Sequence, residues 1–149
     1  MIVGEVCTRK VIVASRGTSI YEAARLMREH HAGDVVVTDD FDGRRMPVGI
    51  VTDRDIVIGV LAQELNPAGL TIGEIMAATL VTAKERDGVF ETVRLMRAEG
   101  VRRVPIVDTD GSLIGIMSLD DVVELMAEEL GDLATLIRQE RRKEAEIRA

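Results

Sequence analysis

Tryptophan is absent from this chain of 149 residues, and aromatic side chains make up only 2% of it. A hydrophobic content of 46% still permits a core, which must be built from aliphatic residues and methionine. The single cysteine, Cys7, excludes an intrachain disulfide and fits a reducing compartment. No apolar run approaches the ~20 residues of a membrane span, and the N-terminus lacks a signal-peptide pattern. We therefore expect one compact cytoplasmic protein without a membrane partner.

The formal net charge of −7 disfavours nonspecific binding to nucleic-acid phosphates, so nucleic acid is an unlikely partner. His30 and His31 have no further histidine or cysteine near them in sequence, and a position at a helix end explains them better than metal binding does. Cys7 has no evident base, and no Walker-type loop occurs. The sequence thus predicts neither a metal site nor a catalytic site, and we expect that the protein is not an enzyme.

The chain contains two copies of one pattern. Gly4-Glu5-Val6 recurs as Gly73-Glu74-Ile75, and Arg25-Leu26-Met27-Arg28 recurs as Arg94-Leu95-Met96-Arg97, in both cases 69 positions later. Beyond the loop at 40–48 the offset is 66, so the first copy carries three extra residues there. A duplication of this length predicts two half-domains related by a pseudo-twofold axis.

Each copy predicts the order β-α-β-β-α, an α/β (α+β) fold. In the first copy we expect strands at 11–13, 35–37 and 48–51, with residues 38–40 closing the second strand. The first helix carries the stripe Ile20, Ala23, Ala24 and Met27 behind a capping box of Ser19 and Glu22, and the second begins near Thr52. The second copy predicts strands at 80–81, 104–107 and 113–117, with helices around 89–96 and from 118. The last two strands of each copy should form an antiparallel hairpin, and the first should pair in parallel.

These elements divide the chain into a first repeat at 1–65, a linker at 66–70, a second repeat at 71–130 and a helical tail at 131–149. Pro67 and Gly69 in the linker resist helix formation. The tail begins with an apolar stripe that includes Leu130 and Leu133 and ends in charged residues. It is either a docked helix that frays or a helix that binds a second copy or a partner. Tyr21 and Phe90, at equivalent helix positions, are expected in the core or at an interface.

The pattern that carries chemistry is a glycine-bearing strand followed by a hydroxyl residue and, three residues later, an aspartate. It occurs as Gly49-Ile50-Val51-Thr52 with Asp55, and as Gly115-Ile116-Met117-Ser118 with Asp121. A helix N-terminus favours an anion, and a carboxylate there can accept hydrogen bonds from the hydroxyls of a ribose. The glycine would let a ligand approach the backbone. A plain capping box explains one such pattern equally well, but two at equivalent places favour a binding role, and the two roles are compatible.

With the strand at 102–107 and the helices containing Glu22 and Glu91, these motifs resemble a tandem pair of CBS domains (named for cystathionine beta-synthase). The resemblance covers about 3–126 and is greatest to small stand-alone prokaryotic proteins. It implies clefts between the repeats that bind adenosine-containing molecules such as AMP, ADP, ATP, NAD or S-adenosylmethionine, and sometimes cyclic dinucleotides. It also implies no obligatory cofactor, no catalysis, a homodimer, and a signal to a protein effector in trans.

The resemblance assigns site residues one by one. Asp55 and Asp121 would hold ribose hydroxyls, and Thr52 and Ser118 would contact ribose or phosphate. The remaining positions would border the adenine or line the pockets: Val11, Val13, Val35, Val81, Thr82, Val104 and Pro105. Val36 stands where the family often has proline, as Pro105 does in the second copy.

The two clefts should differ in charge. Arg102 and Arg103 precede the second strand of the second copy, where the family often binds phosphate, whereas the first copy has Gly33 and Asp34 there. We expect a stronger site that combines Thr52, Arg54 and Asp55 with Arg102 and Arg103. The cleft of Ser118 and Asp121, faced by Asp34, should take a less anionic ligand or stay empty. The alternatives are that the arginines are merely solvated, and that the protein is a structural dimer without nucleotide sensing.

Overall fold

The computed structural model describes residues 1–149, which form two three-stranded sheets and six helices. The first sheet holds β1 (Val13–Ala14), β2 (Asp34–Phe41) and β3 (Arg44–Thr52), and the second holds β4 (Ala83–Lys84), β5 (Arg103–Val107) and β6 (Leu113–Ser118). The helices are α1 (Val3–Val6), α2 (Ile20–His30), α3 (Asp53–Ile56), α4 (Ile72–Ile75), α5 (Val89–Glu99) and α6 (Leu119–Arg148), and a π-helical turn at Val57–Leu61 continues α3.

The predicted strand pairing is confirmed in both sheets. β1 and β4 pair in parallel with β2 and β5, which form antiparallel hairpins with β3 and β6. The α/β class and the order β-α-β-β-α in each copy are therefore as the sequence predicts. Residues 35–37 of the central strand β2 and 104–107 of the central strand β5 are buried on both faces. Helices cover one face of each sheet, and the two repeats contact each other through β3 and β6.

The predicted strand bounds were partly wrong. The first strand of each copy lies two or three residues later than expected, and β2 continues through Phe41 instead of ending at 38–40. Asp42 and Gly43 connect β2 and β3 with positive φ values of 49° and 77°, the backbone that tight hairpin turns need. The three extra residues of the first copy thus lengthen a hairpin, and paired strand replaces the expected loop.

Each repeat has its own aliphatic core. Ser19 caps α2 by accepting a hydrogen bond from the Glu22 amide at 3.1 Å, and the helix buries Ile20, Ala23 and Met27 while Ala24 is exposed. α2 ends at His30, and His31 follows with a left-handed φ of 51°, which confirms the predicted helix-end position. Tyr21 and Phe90 are more than half exposed, so neither belongs to the core.

The two cores exchange their short helices, which the sequence did not predict. Val3 of α1 is fully buried in the core of the second repeat, and Ile72 of α4 in that of the first. The amide of Val3 donates to the Asp87 carbonyl at 2.8 Å, and that of Ile72 to the Thr18 carbonyl at 2.9 Å. Both partners of one bond are shifted by 69 positions from those of the other, which is the signature of a pseudo-twofold axis.

The C-terminal segment also differs from what the sequence predicted. Residues 131–148 continue α6 without a break and nearly all are exposed, so the first of the two alternatives for the tail, a helix docked on the repeats, is wrong. The apolar stripe predicted there is present, but Leu130 and Leu133 face solvent. No helix of the chain combines the length and the apolar composition needed to cross a bilayer.

Candidate functional site

The two predicted motifs form matching helix starts. The Thr52 hydroxyl accepts from the Asp55 amide at 3.1 Å, and the Asp55 carboxylate accepts from the Thr52 amide at 2.9 Å. Ser118 and Asp121 repeat these two bonds at the start of α6, also at 3.1 and 2.9 Å. The capping alternative is therefore realised in both copies. Each carboxylate uses only Oδ2 for its cap, which leaves Oδ1 as an acceptor for another group.

The expected role of the two glycines was wrong. A Cβ on Gly49 would run into the side chain of Met76, and one on Gly115 would lie 2.7 Å from Cys7 Sγ and 2.9 Å from the Thr8 carbonyl oxygen. The chain from the other repeat occupies the space that a ligand was expected to use. The glycines admit the segments that follow α1 and α4, because only a residue without a side chain allows that close approach.

Arg103 and Asp34, which are equivalent positions of the two repeats, form an ion pair across the pseudo-twofold axis. Arg103 Nε lies 2.7 Å from Asp34 Oδ2, and the side chains are only 30% and 16% exposed. Asp34 pairs with Thr52 in the β2–β3 register, and Arg103 pairs with Ser118 in the β5–β6 register. The ion pair therefore lies between the two helix starts.

The surroundings of Asp34 disfavour the charged form of its carboxyl and raise its pKa. Burial raises its pKa, the guanidinium of Arg103 opposes that rise, and Asp53 and Asp121 add to it. The pKa lies above its usual value despite the short ion pair because the loss of hydration outweighs the attraction of one arginine. The negative charges of both helix starts, Asp53 at α3 and Asp121 at α6, thus act on the Asp34 carboxyl.

The structure brings together only part of the predicted stronger site. Arg103 reaches the start of α3, where its Nη2 would lie 3.2 Å from a Cβ on Gly33, but its charge is compensated by Asp34. Arg102 is largely exposed and lies 3.7 Å from Asp120. The alternative that both arginines are merely solvated is therefore right for Arg102 and wrong for Arg103.

Arg54 and Asp55 open onto a cleft of about 520 Å³, within the usual size range of small-molecule sites. Its remaining lining comes from the π-helical turn, the linker and α4, and includes Ile58, Leu70 and Glu74. Arg102 and Arg103 do not line this cleft. Sequence reasoning missed the contribution of α4, although the repeated Gly-Glu pair at 73–74 was a signal that this segment is structurally special.

The predicted adenine-bordering strands present alternating faces. Val35 and Val104 are fully buried in the two helix-covered cores, so only their backbone can border a ligand. Val36 and Pro105 are equally buried but lie on the opposite face of their strands, towards the other repeat. Val11, Val13 and Thr82 are half-buried beside these strands.

Pro105 creates a difference between the two first strands. In the first repeat the Val36 amide donates to the Ile12 carbonyl at 2.8 Å. Pro105 has no amide hydrogen, so the equivalent carbonyl, that of Val81, accepts no hydrogen bond within the chain. Val81 is half-buried, and its carbonyl is an acceptor without a donor from the chain.

Groups that could support other chemistry are sparse. No cluster of three or more histidine, cysteine, aspartate or glutamate side chains has the geometry of a metal site. Burial raises the pKa of the Cys7 thiol, which keeps it protonated near neutral pH, and the thiol packs against Gly115. Cys7 therefore serves packing between the repeats.

Comparison with known proteins agrees with this architecture. The CBS domain family model matches twice, at residues 3–61 and 72–128. The chain belongs to the CBS domain family. It is 42% identical over 123 residues to the uncharacterized protein MK0525 of Methanopyrus kandleri, a match that covers 83% of this chain and 61% of that protein.

Two solved structures of CBS-domain proteins bear on the ligand class. The CBS domain pair of protein MJ0100, crystallised with 5-methylthioadenosine and S-adenosyl-L-methionine, superposes with a TM-score of 0.76 at 29% identity and covers 87% of this chain and 98% of that one. The CBS domain protein PAE2072 of Pyrobaculum aerophilum, complexed with AMP, gives 0.73 at 26% identity and covers 81% and 89%. Both of these neighbours are thus complexes with adenosine-containing ligands.

Proposed function

We propose that this protein is a non-catalytic regulatory module that binds an adenosine-containing ligand between its repeats and signals occupancy to a protein effector in trans. The observation that carries the proposal is the pair of equivalent helix starts, each with a carboxylate oxygen left over after capping. The neighbours with AMP and with S-adenosylmethionine support the ligand class. AMP, ADP, ATP, NAD and S-adenosylmethionine are the candidate ligands.

The preferred site combines both repeats. Asp55 Oδ1 accepts the ribose hydroxyls, the free Val81 carbonyl accepts the adenine amine, and Pro105 provides an apolar surface for the ring. A phosphate then draws Arg103 away from Asp34, because a doubly charged group competes well for a guanidinium. Since Asp34 then loses the attraction of Arg103 and gains an anionic neighbour, its pKa, which burial already raises, should rise further when an anionic ligand binds, and this favours proton uptake.

In this proposal the protein acts as a homodimer. Tyr21, Phe90, Val57 and Leu61 expose apolar surface on the helices of both repeats, and such patches mark interaction sites. Ligand binding changes the output only if the ligand has different affinities for two arrangements of the repeats or of the dimer.

The test is isothermal calorimetry of the wild type, Asp55→Ala and Asp121→Ala with AMP, ADP, ATP, NAD and S-adenosylmethionine. Loss of a hydrogen-bond partner for ribose should weaken binding about tenfold or more at the affected cleft. The matched control is Asp87→Ala, because the Asp87 carboxylate also caps a backbone amide, that of Lys84 at 2.8 Å, without a role in the proposed site.

Repeating the AMP titration in buffers of different ionisation enthalpy measures the proposed proton uptake, which should vanish in Asp34→Asn. If the wild type binds none of the candidate adenosine ligands, the proposal fails and a structural dimer without nucleotide sensing is the better description.

A further inference from the structure

Helix α6 carries an exposed apolar seam, defined here by six residues at alternating spacings of four and three. They are Leu119, Val123, Met126, Leu130, Leu133 and Ile137, and each is 37–62% exposed. A repeat of 3.5 residues is the pattern by which one helix packs along another. Val122 and Leu125, on a different face, pack into the core of the second repeat, so the helix has one face for the repeat and another without a partner.

The seam is continuous with the folded repeats. Leu119 and Val122 line an apolar cavity of about 230 Å³ together with Val93, Met96 and Val101. Beyond residue 130 the same seam runs along a part of the helix in which every residue except the half-buried Ala134 is exposed. An occupant of the seam therefore contacts both the second repeat and the projecting end of α6.

The charges of α6 are segregated along its length. The first part, 119–137, has six carboxylates and no basic side chain: Asp120, Asp121, Glu124, Glu128, Glu129 and Asp132. The last part, 138–148, has five basic side chains against three acidic ones: Arg138, Arg141, Arg142, Lys143 and Arg148 against Glu140, Glu144 and Glu146. A helix with this polarity is complementary to itself only when the second copy runs in the opposite direction.

We infer that α6 pairs with α6 of a second copy in an antiparallel arrangement, with the basic end of each helix against the acidic part of the other. The parallel alternative places the two acidic segments side by side. It also places Glu140 and Glu144, which continue the spacing of the seam beyond Ile137, against the same residues of the second copy. This inference concerns a surface outside the proposed ligand clefts and does not rest on nucleotide binding.

The first test is sedimentation equilibrium of the full chain and of Leu133→Glu. A charge at the centre of the seam should raise the dimer dissociation constant at least about tenfold, because it would be buried without a partner. The matched control is Gln139→Glu, which adds the same charge to the projecting segment away from the seam. Circular dichroism checks that both variants remain folded. A monomeric wild type, or a dimer that Leu133→Glu leaves unchanged, overturns the inference.

The second test concerns direction. In a Cys7→Ser background, Val123→Cys places a thiol near the start of the seam, and Ile147→Cys places one beyond Ile137, where the same alternating spacing continues through 140 and 144. In an antiparallel pair neither variant forms a disulfide with its own copy, whereas the mixture forms the 123–147 disulfide. Self-crosslinking of either variant alone shows a parallel pair and overturns the proposed direction.

Discussion

The two repeats have the same backbone arrangement and differ in the side chains that meet at the pseudo-twofold axis. Exchanged short helices, parallel first strands and reciprocal caps recur in both repeats. The pseudo-twofold axis brings position 34 against position 103, and two identical charges would repel there. Asp34 and Arg103 resolve this conflict by having opposite charges. At this pair of positions the backbone thus keeps the symmetry of the duplication, and the side chains do not.

The largest expected difference between the repeats is at the two strand glycines. Gly115→Ala should lower the free energy of unfolding by about 2–3 kcal/mol, and Gly49→Ala by only about 1 kcal/mol. The added methyl group at 115 would meet the Thr8 carbonyl, which cannot easily move because the backbones of Thr8 and Ile116 are joined by two hydrogen bonds of 2.9 Å. The added methyl group at 49 would meet the flexible side chain of Met76. Urea unfolding of both variants measures the difference, and equal losses would contradict this account.

The next largest effect is at the ion pair between the repeats. Asp34→Ala or Arg103→Ala should each cost about 1–2 kcal/mol, less than for a fully buried pair because Arg103 is 30% exposed. The exchanged variant with Asp34→Arg and Arg103→Asp should recover most of the loss, since the positions are equivalent about the axis. A double-mutant cycle from urea unfolding gives the coupling energy. No recovery in the exchanged variant would show that the surroundings, and not the pair, fix the polarity.

The caps provide a smaller contrast. Ser118→Ala should cost about 1–2 kcal/mol and Thr52→Ala about 0.5–1 kcal/mol, since the cap at Ser118 is partly buried and the one at Thr52 is exposed. Thermal unfolding measures both losses. Glycine is also a favourable capping residue, so Ser118→Gly should lose less than Ser118→Ala. A larger loss at Thr52 would reverse the comparison.

The smallest expected effect is in the pH dependence. Because the folded-state pKa of Asp34 lies above the unfolded value, the folded state binds this proton more tightly. The contribution of Asp34 to stability is present below the unfolded pKa and is lost as the pH rises through the folded pKa. As the pH rises from the unfolded to the folded pKa of Asp34, the free energy of unfolding of the wild type should therefore fall relative to that of Asp34→Asn. A difference that moves the opposite way would mean that the attraction of Arg103 outweighs burial.

Much of the fold could be predicted because its signals are local. The hairpins, the caps at Ser19, Thr52 and Ser118, and the helix end at His31 depend on residues close together in sequence. The exchange of α1 and α4 could not be predicted, because its hydrogen bonds join residues more than 50 positions apart. The same holds for the glycines, whose neighbours come from the other repeat.

The candidate site divides in the same way. The sequence located Asp55 and Asp121 at helix starts and distinguished the two clefts by charge. It did not predict that Arg103 is bound by Asp34, or that Pro105 leaves the Val81 carbonyl without a donor. The assignment of individual ligand contacts and the bounds of the repeats and the linker remain predictions.

By itself, the sequence determined the duplication, the class of fold and the residues at the two helix starts, because repetition, periodicity and capping are properties of neighbouring residues. The tertiary structure alone decided which segment fills the space in front of each glycine, which arginine is compensated, and which face of α6 is left exposed. Those outcomes depend on how the two halves meet, and the contacts between halves join residues that are distant in sequence.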